Sequence, residues 1–291
     1  MNCFFCGTGE TRKVMEMVPS HEYGFSITKP FYGRGQNLYR CKECGVTFAF
    51  PFPNEKELQK AYTELEDPSY LEEIGRSGGA IGALSSLERF SGRRGKLLDV
   101  GCFCGAFLLE AKAVGWDIEG VEPSAWAREK AREKFGLSIR HAALAEARFP
   151  EESFDVVTII DVLEHFLDPK KEIQEIHRVL KKGGLLYLST PDVGSLTAKI
   201  FRKKWWGYRQ EHLFYFTRPA LRRFLASSGF DRVWEGFYGR TFTIGQLLWR
   251  LQGISRKAHR LLSGLTKVFW IRDWEIPVNL RDRIAMIVRK R

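Results

Sequence analysis

Four cysteines in two identically spaced pairs are the first residues whose pattern could support chemistry. Cys3-x-x-Cys6 and Cys41-x-x-Cys44 are each followed directly by glycine, which permits the left-handed backbone that ends a metal-binding knuckle. Four thiolates complete a tetrahedral zinc shell and leave no open position, so the predicted site is structural. The alternatives are four free thiols or two redox dithiols, and the dithiols lack their usual βαβ context. We therefore predict a zinc-ribbon-like module over residues 1–50.

A glycine-bearing turn followed by a distant acid forms the second pattern. The run KLLDVGCFCG ends in glycines and opens a helical pattern, and the next apolar run ends at Glu122, 21 residues after Gly101. Glycines let the backbone approach a ligand, and a carboxylate at this distance accepts hydrogen bonds from ribose hydroxyls. Dinucleotide-binding enzymes and methyltransferases share this pattern. The G-x-G-x-x-G phosphate fingerprint is missing, which disfavours a pyrophosphate cradle.

A cluster of titratable residues follows the strand-like run FDVVTII. Asp161, Glu164 and His165 lie where this strand ends, at the edge where open α/β sheets bind ligands. For His165 alone, the simpler interpretation is a strand-end histidine capped by the backbone. The neighbouring acids favour a site.

The remaining elements must position these residues. From Lys96 onward, short apolar runs alternate with helical patterns. That alternation predicts an α/β domain over residues 95–291, with a mostly parallel sheet and helices on both faces. Residues 51–94 are predicted to form a helical linker between this domain and the cysteine module.

Several motifs in order resemble those of class I S-adenosylmethionine-dependent methyltransferases. The runs LLDVGCFCGAFL, GVEPS, FDVVTIIDVLEHFLDP and LKKGGLLYLSTPD carry the resemblance over roughly residues 95–240. It is closest to the small-molecule branch that includes ubiquinone-biosynthesis and sugar methyltransferases, some of which have a similar cysteine-rich leader. The resemblance implies a Rossmann-like, seven-stranded, mostly parallel sheet whose last strand is antiparallel. Residues 230–238 and 282–290 would supply its final two strands.

The resemblance also implies that S-adenosylmethionine is the cofactor. Glu122 would bind the ribose, Gly101 and Gly105 would allow close backbone approach, and Asp99 would order the loop or reach the amino acid end of the cofactor. The other positions that would contact the cofactor are Cys102, Pro123, Ala143, Leu144 and Asp161.

Two positions depart from the family's pattern. Phe103 stands where the family often has glycine, which narrows the loop near the methionine end of the cofactor. Ala143 replaces the acid that often holds the adenine amino group. Adenine would then depend on backbone groups near Leu144 and on apolar packing.

For the acceptor, the resemblance implies in-line methyl transfer to a small-molecule or lipid-linked compound, with O-methylation favoured. The protein would mainly align the two reactants, and a base would take the proton of the acceptor. His212, in the aromatic stretch KWWGYRQEHLFYF, is the first candidate for that base. Fixing a lid over the acceptor is an equally supported role for it. His165 is the second candidate, with a role in shaping the cofactor site.

Charge is distributed unevenly along the chain. The net charge is +11, and residues 199–291 carry 21 Lys and Arg against 6 Asp and Glu. Solvated surface charge is the simplest interpretation. Within this part, residues 244–270 predict a basic amphipathic helix. It could make peripheral contact with an anionic membrane, cover the active site, form a homodimer interface or pack on its own domain.

Composition limits the remaining functional classes. A hydrophobic content of 44% excludes a mainly disordered chain. The six cysteines, with no recognisable signal peptide or membrane span, predict a cytoplasmic protein. Nucleic acid is disfavoured as a partner because no base-methylating motif or aromatic stacking platform is present. An RNA-modifying methyltransferase and a non-catalytic cofactor-binding module stay open as alternatives.

Overall fold

The computed structural model describes residues 1–7, 9–17, 36–67, 78–237, 239–245, 247–248, 259 and 274–291. In chain order its strands are β1 (Thr11–Glu16), β2 (Asn37–Cys41), β3 (Thr47–Phe50), β4 (Lys96–Val100), β5 (Asp117–Val121), β6 (Phe154–Ile160), β7 (Leu180–Pro191), β8 (Phe214–Tyr215), β9 (Phe230–Phe237), β10 (Arg240–Thr243), β11 (Glu275–Val278) and β12 (Arg283–Lys290). Its α-helices are α1 (Glu55–Thr63), α2 (Gly78–Ser91), α3 (Ala106–Ala113), α4 (Ala125–Phe135), α5 (Pro169–Val179), α6 (Leu196–Phe201) and α7 (Arg218–Ser227).

The central sheet has six strands in the order β5-β4-β6-β7-β12-β9. Strands β4 to β7 are parallel to one another, and β12 is antiparallel to both β7 and β9. This confirms the predicted mostly parallel sheet with an antiparallel last strand. Beside β5, the described chain has an isolated parallel bridge between Val121 and Arg140 instead of a further strand. The described sheet is therefore one strand narrower than predicted.

The strands are apolar on both faces because the sheet packs against helices on both sides. Leu97 and Val156 belong to one buried cluster, which also contains residues of α2 and α3. Their neighbours Leu98 and Val157 point the other way, into a cluster that contains residues of α5 and α7. This alternation follows from the pleat of a strand, in which successive side chains leave opposite faces.

Helix caps fix the loops at the carboxyl end of the sheet. The Ser124 hydroxyl accepts a hydrogen bond from the Ala127 N–H at the start of α4. At the start of α5, the Asp168 carboxylate accepts from the N–H groups of Lys170 and Lys171. Each cap satisfies N–H groups that a helix start leaves without partners. The caps therefore hold the residues just before them in place at the sheet edge.

The N-terminal module and the α/β domain share a sheet and a core. Strand β8, from the α/β domain, pairs with β3 in a four-stranded sheet of order β1-β2-β3-β8. The Phe5 ring packs edge-on against Phe214, Phe216 and Phe224, with ring centroids 5.9, 5.6 and 4.8 Å away. Residues 1–50 are thus joined to the rest of the chain by backbone pairing as well as by packing.

The C-terminal third contains the remaining predicted helix. Most of residues 244–270 lie outside the described ranges, so the predicted basic amphipathic helix does too. Strands β10 and β11, which flank that segment, pair as an antiparallel two-stranded sheet. Within the described residues, no helix has the length and apolar character that crossing a bilayer requires.

Candidate functional site

A cleft of about 620 Å³ opens at the carboxyl ends of β4, β5 and β6. Its volume falls within the usual range for small-molecule sites. Helix α1, the loops after the three strands, the segment around His212 and the start of β12 form its walls. Predicted site residues among those lining it are Gly101, Glu122, Pro123, Ala143, Leu144, Asp161, His165 and His212.

Glu122 is the acid at the centre of one half of the cleft. It follows β5 directly, and its side chain is 5% exposed. One carboxylate oxygen accepts a hydrogen bond from the Phe103 N–H at 2.9 Å, and the other accepts from the Ser124 N–H at 2.8 Å. Burial raises the pKa of this carboxyl to about 7, although both hydrogen bonds act in the opposite direction. Two backbone donors therefore aim a carboxylate at the cleft with acceptor capacity to spare.

The turn after β4 lies partly in the wall of the cleft and is partly buried behind that wall. Gly101 lines the cleft with φ at +69°, and a Cβ there would lie 2.8 Å from Val162. Asp99, Cys102 and Gly105 are buried behind this wall. Asp99 accepts a 2.6 Å hydrogen bond from the Thr158 hydroxyl, and burial raises its pKa to about 7. This hydrogen bond ties β4 to β6 beneath the turn, and the two roles predicted for Asp99 stay predictions.

The loop after the Arg140 bridge closes the far end of the same half. Leu144 is buried and lines the cleft, as does the exposed Ala143. The Ala143 N–H donates to the Glu146 carboxylate at 3.1 Å, and the Glu146 carboxylate also accepts from Gln59 of α1 at 3.2 Å. The linker helix is therefore tied to the loop at which the adenine is predicted to bind.

Phe103, the departure from the family's glycine, adopts the left-handed backbone that glycine favours. Its φ is +47°, and its ring packs against Trp126 with the centroids 5.8 Å apart. A side chain in this region of φ carries backbone strain. Phe103 lines the cleft, so this strained residue lies at the wall of the candidate site.

Asp161 lies between the two halves of the cleft. It follows β6 with φ at +57°, forms an ion pair with Arg283 and accepts a hydrogen bond from the Ser189 hydroxyl at 3.1 Å. Because β12 is antiparallel, its first residue, Arg283, reaches the edge where the parallel strands end. The structure thus joins a predicted site residue to a partner more than 100 positions away.

His212 and His165 face each other in the second half, with ring centroids 4.8 Å apart and their planes at 87°. Nδ1 of His212 lies 3.1 Å from the Gly207 carbonyl oxygen, and Nδ1 of His165 lies 3.1 Å from the Glu211 carbonyl oxygen. A carbonyl only accepts, so each Nδ1 must carry the proton and each Nε2 has a free lone pair. Burial lowers the pKa of both rings, that of His165 to about 4. Both imidazoles are therefore neutral at pH 7.

Glu164 completes a three-residue cluster with these histidines. Its Oε2 accepts a 2.9 Å hydrogen bond from the Thr190 hydroxyl, and its Oε1 lies 4.0 Å from Nε2 of His212. Oε1 is buried and has no hydrogen-bond partner among the described residues. Burial, aided by the charge of Asp161, raises the pKa of this carboxyl to about 8.

The cluster offers two kinds of chemistry. One ligand atom from each of Glu164, His165 and His212 lies within 4.8 Å of the others. One carboxylate and two imidazoles are a donor set that suits a divalent transition metal. The same atoms can also accept and hold a proton. The sequence predicted the two histidines but no metal-ligating role for them or for Glu164.

Helix α1 is the part of the cleft that sequence reasoning missed. Leu58, Tyr62 and Asp67, from α1 and the turn after it, line the cleft. The Tyr62 ring packs edge-on against His165 with the centroids 6.1 Å apart. The sequence predicts a helical linker here but does not indicate what that helix contacts. The segment predicted as a linker thus forms a wall of the cleft.

The four cysteines of the N-terminal module converge as predicted. The Sγ atoms of Cys3 and Cys44 are 3.8 Å apart, as are those of Cys6 and Cys41. All four sulfurs lie within 4.8 Å of one another. Tetrahedral zinc with bonds of about 2.3 Å places its sulfurs about 3.8 Å apart, so the cluster fits a zinc ion. The glycine after each pair has φ near +75°, namely +78° at Gly7 and +73° at position 45.

Comparisons with known proteins identify the family of this chain. A family model described as "Methyltransferase domain" matches residues 79–235, over half of the chain. The ubiquinone biosynthesis O-methyltransferase of Pseudomonas aeruginosa (strain UCBPP-PA14) is 38% identical over 103 residues, which cover 33% of this chain and 44% of that protein. The chain thus matches less than half the length of this relative.

Solved structures show the same fold at low sequence identity. A protein of Thermotoga maritima, described as a SAM-dependent methyltransferase and possible histamine N-methyltransferase, matches with a TM-score of 0.50 and 19% identity, over 73% of this chain and 88% of that one. The cyclase SpnF matches with a TM-score of 0.52 and 19% identity, over 82% and 98%. One fold therefore hosts more than one chemistry. On the family match, this chain belongs to the S-adenosylmethionine-dependent methyltransferases.

Proposed function

We propose that this protein transfers the methyl group of S-adenosylmethionine to a hydroxyl of a small-molecule or lipid-linked acceptor. The observation that carries the proposal is Glu122, a buried carboxylate held by two backbone donors on the wall of the cleft. It is paired with the Gly101 turn in the order typical of the family. The name of the Pseudomonas aeruginosa relative supports oxygen as the methylated atom.

The half of the cleft around Gly101, Glu122 and Leu144, which we call the cofactor half, would bind the nucleoside. Glu122 would accept hydrogen bonds from the ribose hydroxyls, which are donors that a buried carboxylate needs. Leu144 and Pro123 would pack against the adenine. The amino acid end would lie toward Gly101 and Phe103, above the buried Asp99. S-adenosylmethionine, when bound, supplies a methyl group on a positively charged sulfur that is already reactive toward nucleophiles.

The half of the cleft around Glu164, His165 and His212, which we call the acceptor half, would position the hydroxyl of the acceptor and remove its proton. Nε2 of His212 is free to accept because Nδ1 donates to the Gly207 carbonyl. Its low pKa keeps the ring neutral before the reaction. His165 would hold the acceptor from the facing side, and Oε1 of Glu164 would take a hydrogen bond from it or from a water. Glu164 and His212 are buried and His165 is half-buried against the Tyr62 ring, which limits the access of water and favours alignment of the reactants.

Three further assignments accompany this proposal. None of the six cysteines forms a disulfide, and four of them converge at the predicted zinc site, which supports a reducing, cytoplasmic location. Homodimer formation and membrane contact through residues 244–270 remain predictions, since most of that segment lies outside the described residues. Macromolecular acceptors are disfavoured, because the histidine cluster lies within a cleft of small-molecule size.

Calorimetric titration with S-adenosylhomocysteine tests the cofactor assignment. We expect the wild-type protein to bind with a micromolar Kd, and Glu122→Ala to weaken binding by about 100-fold, which is about 2.7 kcal/mol. Glu129→Ala is the matched control, because Glu129 is an exposed glutamate of α4 that pairs with Arg132. Equal loss in both variants, or no binding by the wild type, contradicts the proposal. Binding without transfer to any small-molecule extract would favour the non-catalytic module.

A further inference from the structure

The short helix α6 carries two large apolar side chains that point away from the protein. Leu196 is 70% exposed and Ile200 is 62% exposed. They are four positions apart, so they lie on the same face of the helix. Ala198, between them, is buried and faces the body of the protein. The pair therefore points outward because the opposite face of the helix packs on the protein.

The segment that carries this pair is rich in exposed basic side chains and contains no acidic residue. Lys199, Arg202, Lys203 and Lys204 are all exposed, and none of them forms an ion pair within the described part of the chain. No Asp or Glu occurs between positions 193 and 210, and the preceding acid, Asp192, is buried. We call residues 196–204 the α6 surface. It combines two exposed apolar side chains with four exposed cationic ones.

The α6 surface is anchored firmly to the fold. The Ser195 hydroxyl accepts from the Ala198 N–H at the start of the helix. Just after the basic run, Trp205 is buried, and the Trp206 Nε1–H donates to the Asp282 carboxylate at 2.6 Å. The Phe201 ring packs on Trp206 with the centroids 5.2 Å apart. These contacts hold the apolar pair outward at a fixed position.

The same segment leads directly to the acceptor half of the cleft. Gly207, three residues after Lys204, supplies the carbonyl oxygen that accepts from Nδ1 of His212. A molecule bound at the α6 surface is therefore close, along the chain, to the group that orients the candidate base.

We propose that the α6 surface docks on an anionic lipid bilayer. Leu196 and Ile200 would enter the boundary between headgroups and acyl chains, and the four cations would bind anionic headgroups. Charge complementarity favours anionic over neutral lipid. The apolar pair favours lipid over nucleic acid, because a phosphate backbone is bound by the cations and leaves the exposed Leu and Ile without a role. The inference goes beyond the proposed methyl transfer and does not depend on it.

Co-sedimentation of the full, zinc-loaded chain with vesicles tests the proposal. Vesicles of phosphatidylcholine alone are compared with vesicles that contain equal phosphatidylcholine and phosphatidylglycerol. We expect binding to the anionic vesicles only, weakening as salt rises. Leu196→Ser/Ile200→Ser and Lys199→Glu/Lys203→Glu should each lower the partition coefficient by about tenfold or more.

Matched variants control for surface composition. Leu109→Ser/Val114→Ser removes two apolar side chains of similar type, 36% and 38% exposed, at α3 and its end. Lys112→Glu/Lys182→Glu reverses two exposed lysines elsewhere. Both should bind vesicles like the wild type, and thermal melting checks that every variant is folded.

Three results would overturn the proposal. One is the absence of binding to anionic vesicles, and another is an equal loss in the control variants. The third is retained vesicle binding by Leu196→Ser/Ile200→Ser together with salt-dependent retention of single-stranded RNA that Lys199→Glu/Lys203→Glu abolishes. That combination would assign the α6 surface to nucleic acid. None of these outcomes bears on binding of S-adenosylhomocysteine, so failure here is distinguishable from failure of the proposed function.

Discussion

The two halves of the cleft are built in different ways. The cofactor half comes from one stretch of chain, residues 100–144, in which neighbouring loops donate to the Glu122 carboxylate. The acceptor half is assembled from four distant segments: α1, the loop 161–167, the loop 209–212 and the start of β12. The zinc module holds one of them, since the Ala49 N–H donates to the Leu213 carbonyl and the Leu213 N–H donates to the Glu164 carbonyl.

This difference separates two requirements of the same reaction. On the proposed function, cofactor binding would depend mainly on short-range backbone geometry within residues 100–144. Positioning of the acceptor would depend on long-range packing, to which the N-terminal module contributes through the pairing of β3 with β8. Perturbations far from the cleft should therefore affect methyl transfer more strongly than cofactor affinity.

Loss of zinc should have the largest effect. We expect Cys41→Ser/Cys44→Ser to lose the zinc held by the four cysteines and to melt more than 10 °C below the wild type, because structural zinc contributes about 10 kcal/mol to small modules. Methyl transfer should fall by about 100-fold or more, while affinity for S-adenosylhomocysteine at low temperature stays within about threefold. Zinc analysis, melting and calorimetry measure the three quantities. Cys104→Ala, which removes a buried thiol outside the cluster, should keep its zinc.

Parallel loss of cofactor affinity and methyl transfer in the serine variant would break the comparison. It would mean that both halves depend on the zinc module.

Removal of the candidate base should have the next largest effect. We expect His212→Gln to lower kcat by about 10²- to 10⁴-fold, the usual contribution of a general base. Affinity for S-adenosylhomocysteine should stay within about twofold, because His212 lies in the acceptor half. His177→Gln is the control, since His177 packs on Phe230 away from the cleft. A fall of less than tenfold would assign His212 to fixing the lid, and His165→Gln would then test the second candidate.

Cofactor affinity should depend on pH through Glu122. Burial raises the pKa of its carboxyl to about 7 in the cofactor-free protein. The carboxyl is protonated below that pH and loses acceptor capacity for the ribose hydroxyls. Affinity for S-adenosylhomocysteine should therefore fall as pH decreases, and be about tenfold weaker at pH 6 than at pH 8. Calorimetry at several pH values measures this change.

Glu122→Gln separates this carboxyl from Asp99, whose pKa is also raised to about 7. The variant should bind more weakly at every pH and with little pH dependence. An undiminished pH dependence would assign the titration to another group.

Phe103 should give the smallest effect. Phe103→Gly relieves a left-handed backbone, about 1 kcal/mol, but loses the ring contact with Trp126, which is of similar size. We expect the free energy of unfolding to change by less than about 1 kcal/mol and cofactor affinity by less than about threefold. Phe103→Ala keeps the strain and loses the contact, so urea unfolding should show a larger loss, about 1–2 kcal/mol. A large gain in cofactor affinity by the glycine variant would show that the phenylalanine obstructs the loop.

The cofactor half could be predicted from the sequence because its signals are local. Glu122 follows a short apolar run, and the glycine turn follows another, at spacings that neighbouring parallel strands impose. The two cysteine pairs are likewise local, since each knuckle specifies its own turn. A single zinc ion with four sulfur ligands then implies that the two pairs converge.

The acceptor half could be predicted only in part. The sequence predicts His165 and His212 as candidates, but their facing arrangement depends on the pairing of β3 with β8, which no periodicity indicates. The position of Arg283 in the cleft could have been predicted, because the first residue of an antiparallel last strand lies at the edge where the parallel strands end. No sequence signal indicates that α1 forms a wall of the cleft, because an amphipathic period does not identify the surface that the helix covers.

The crystal structure of the zinc-loaded protein with S-adenosylhomocysteine is the most direct test of the central claim. We predict that the ribose hydroxyls contact the Glu122 carboxylate, that the adenine packs on Leu144, and that the sulfur faces His165 and His212. The ligand would then span both halves of the cleft and point its reactive end at the histidine cluster. A ligand that leaves Glu122 without contact, or that turns its sulfur away from the histidines, would contradict the division of the cleft into cofactor and acceptor halves.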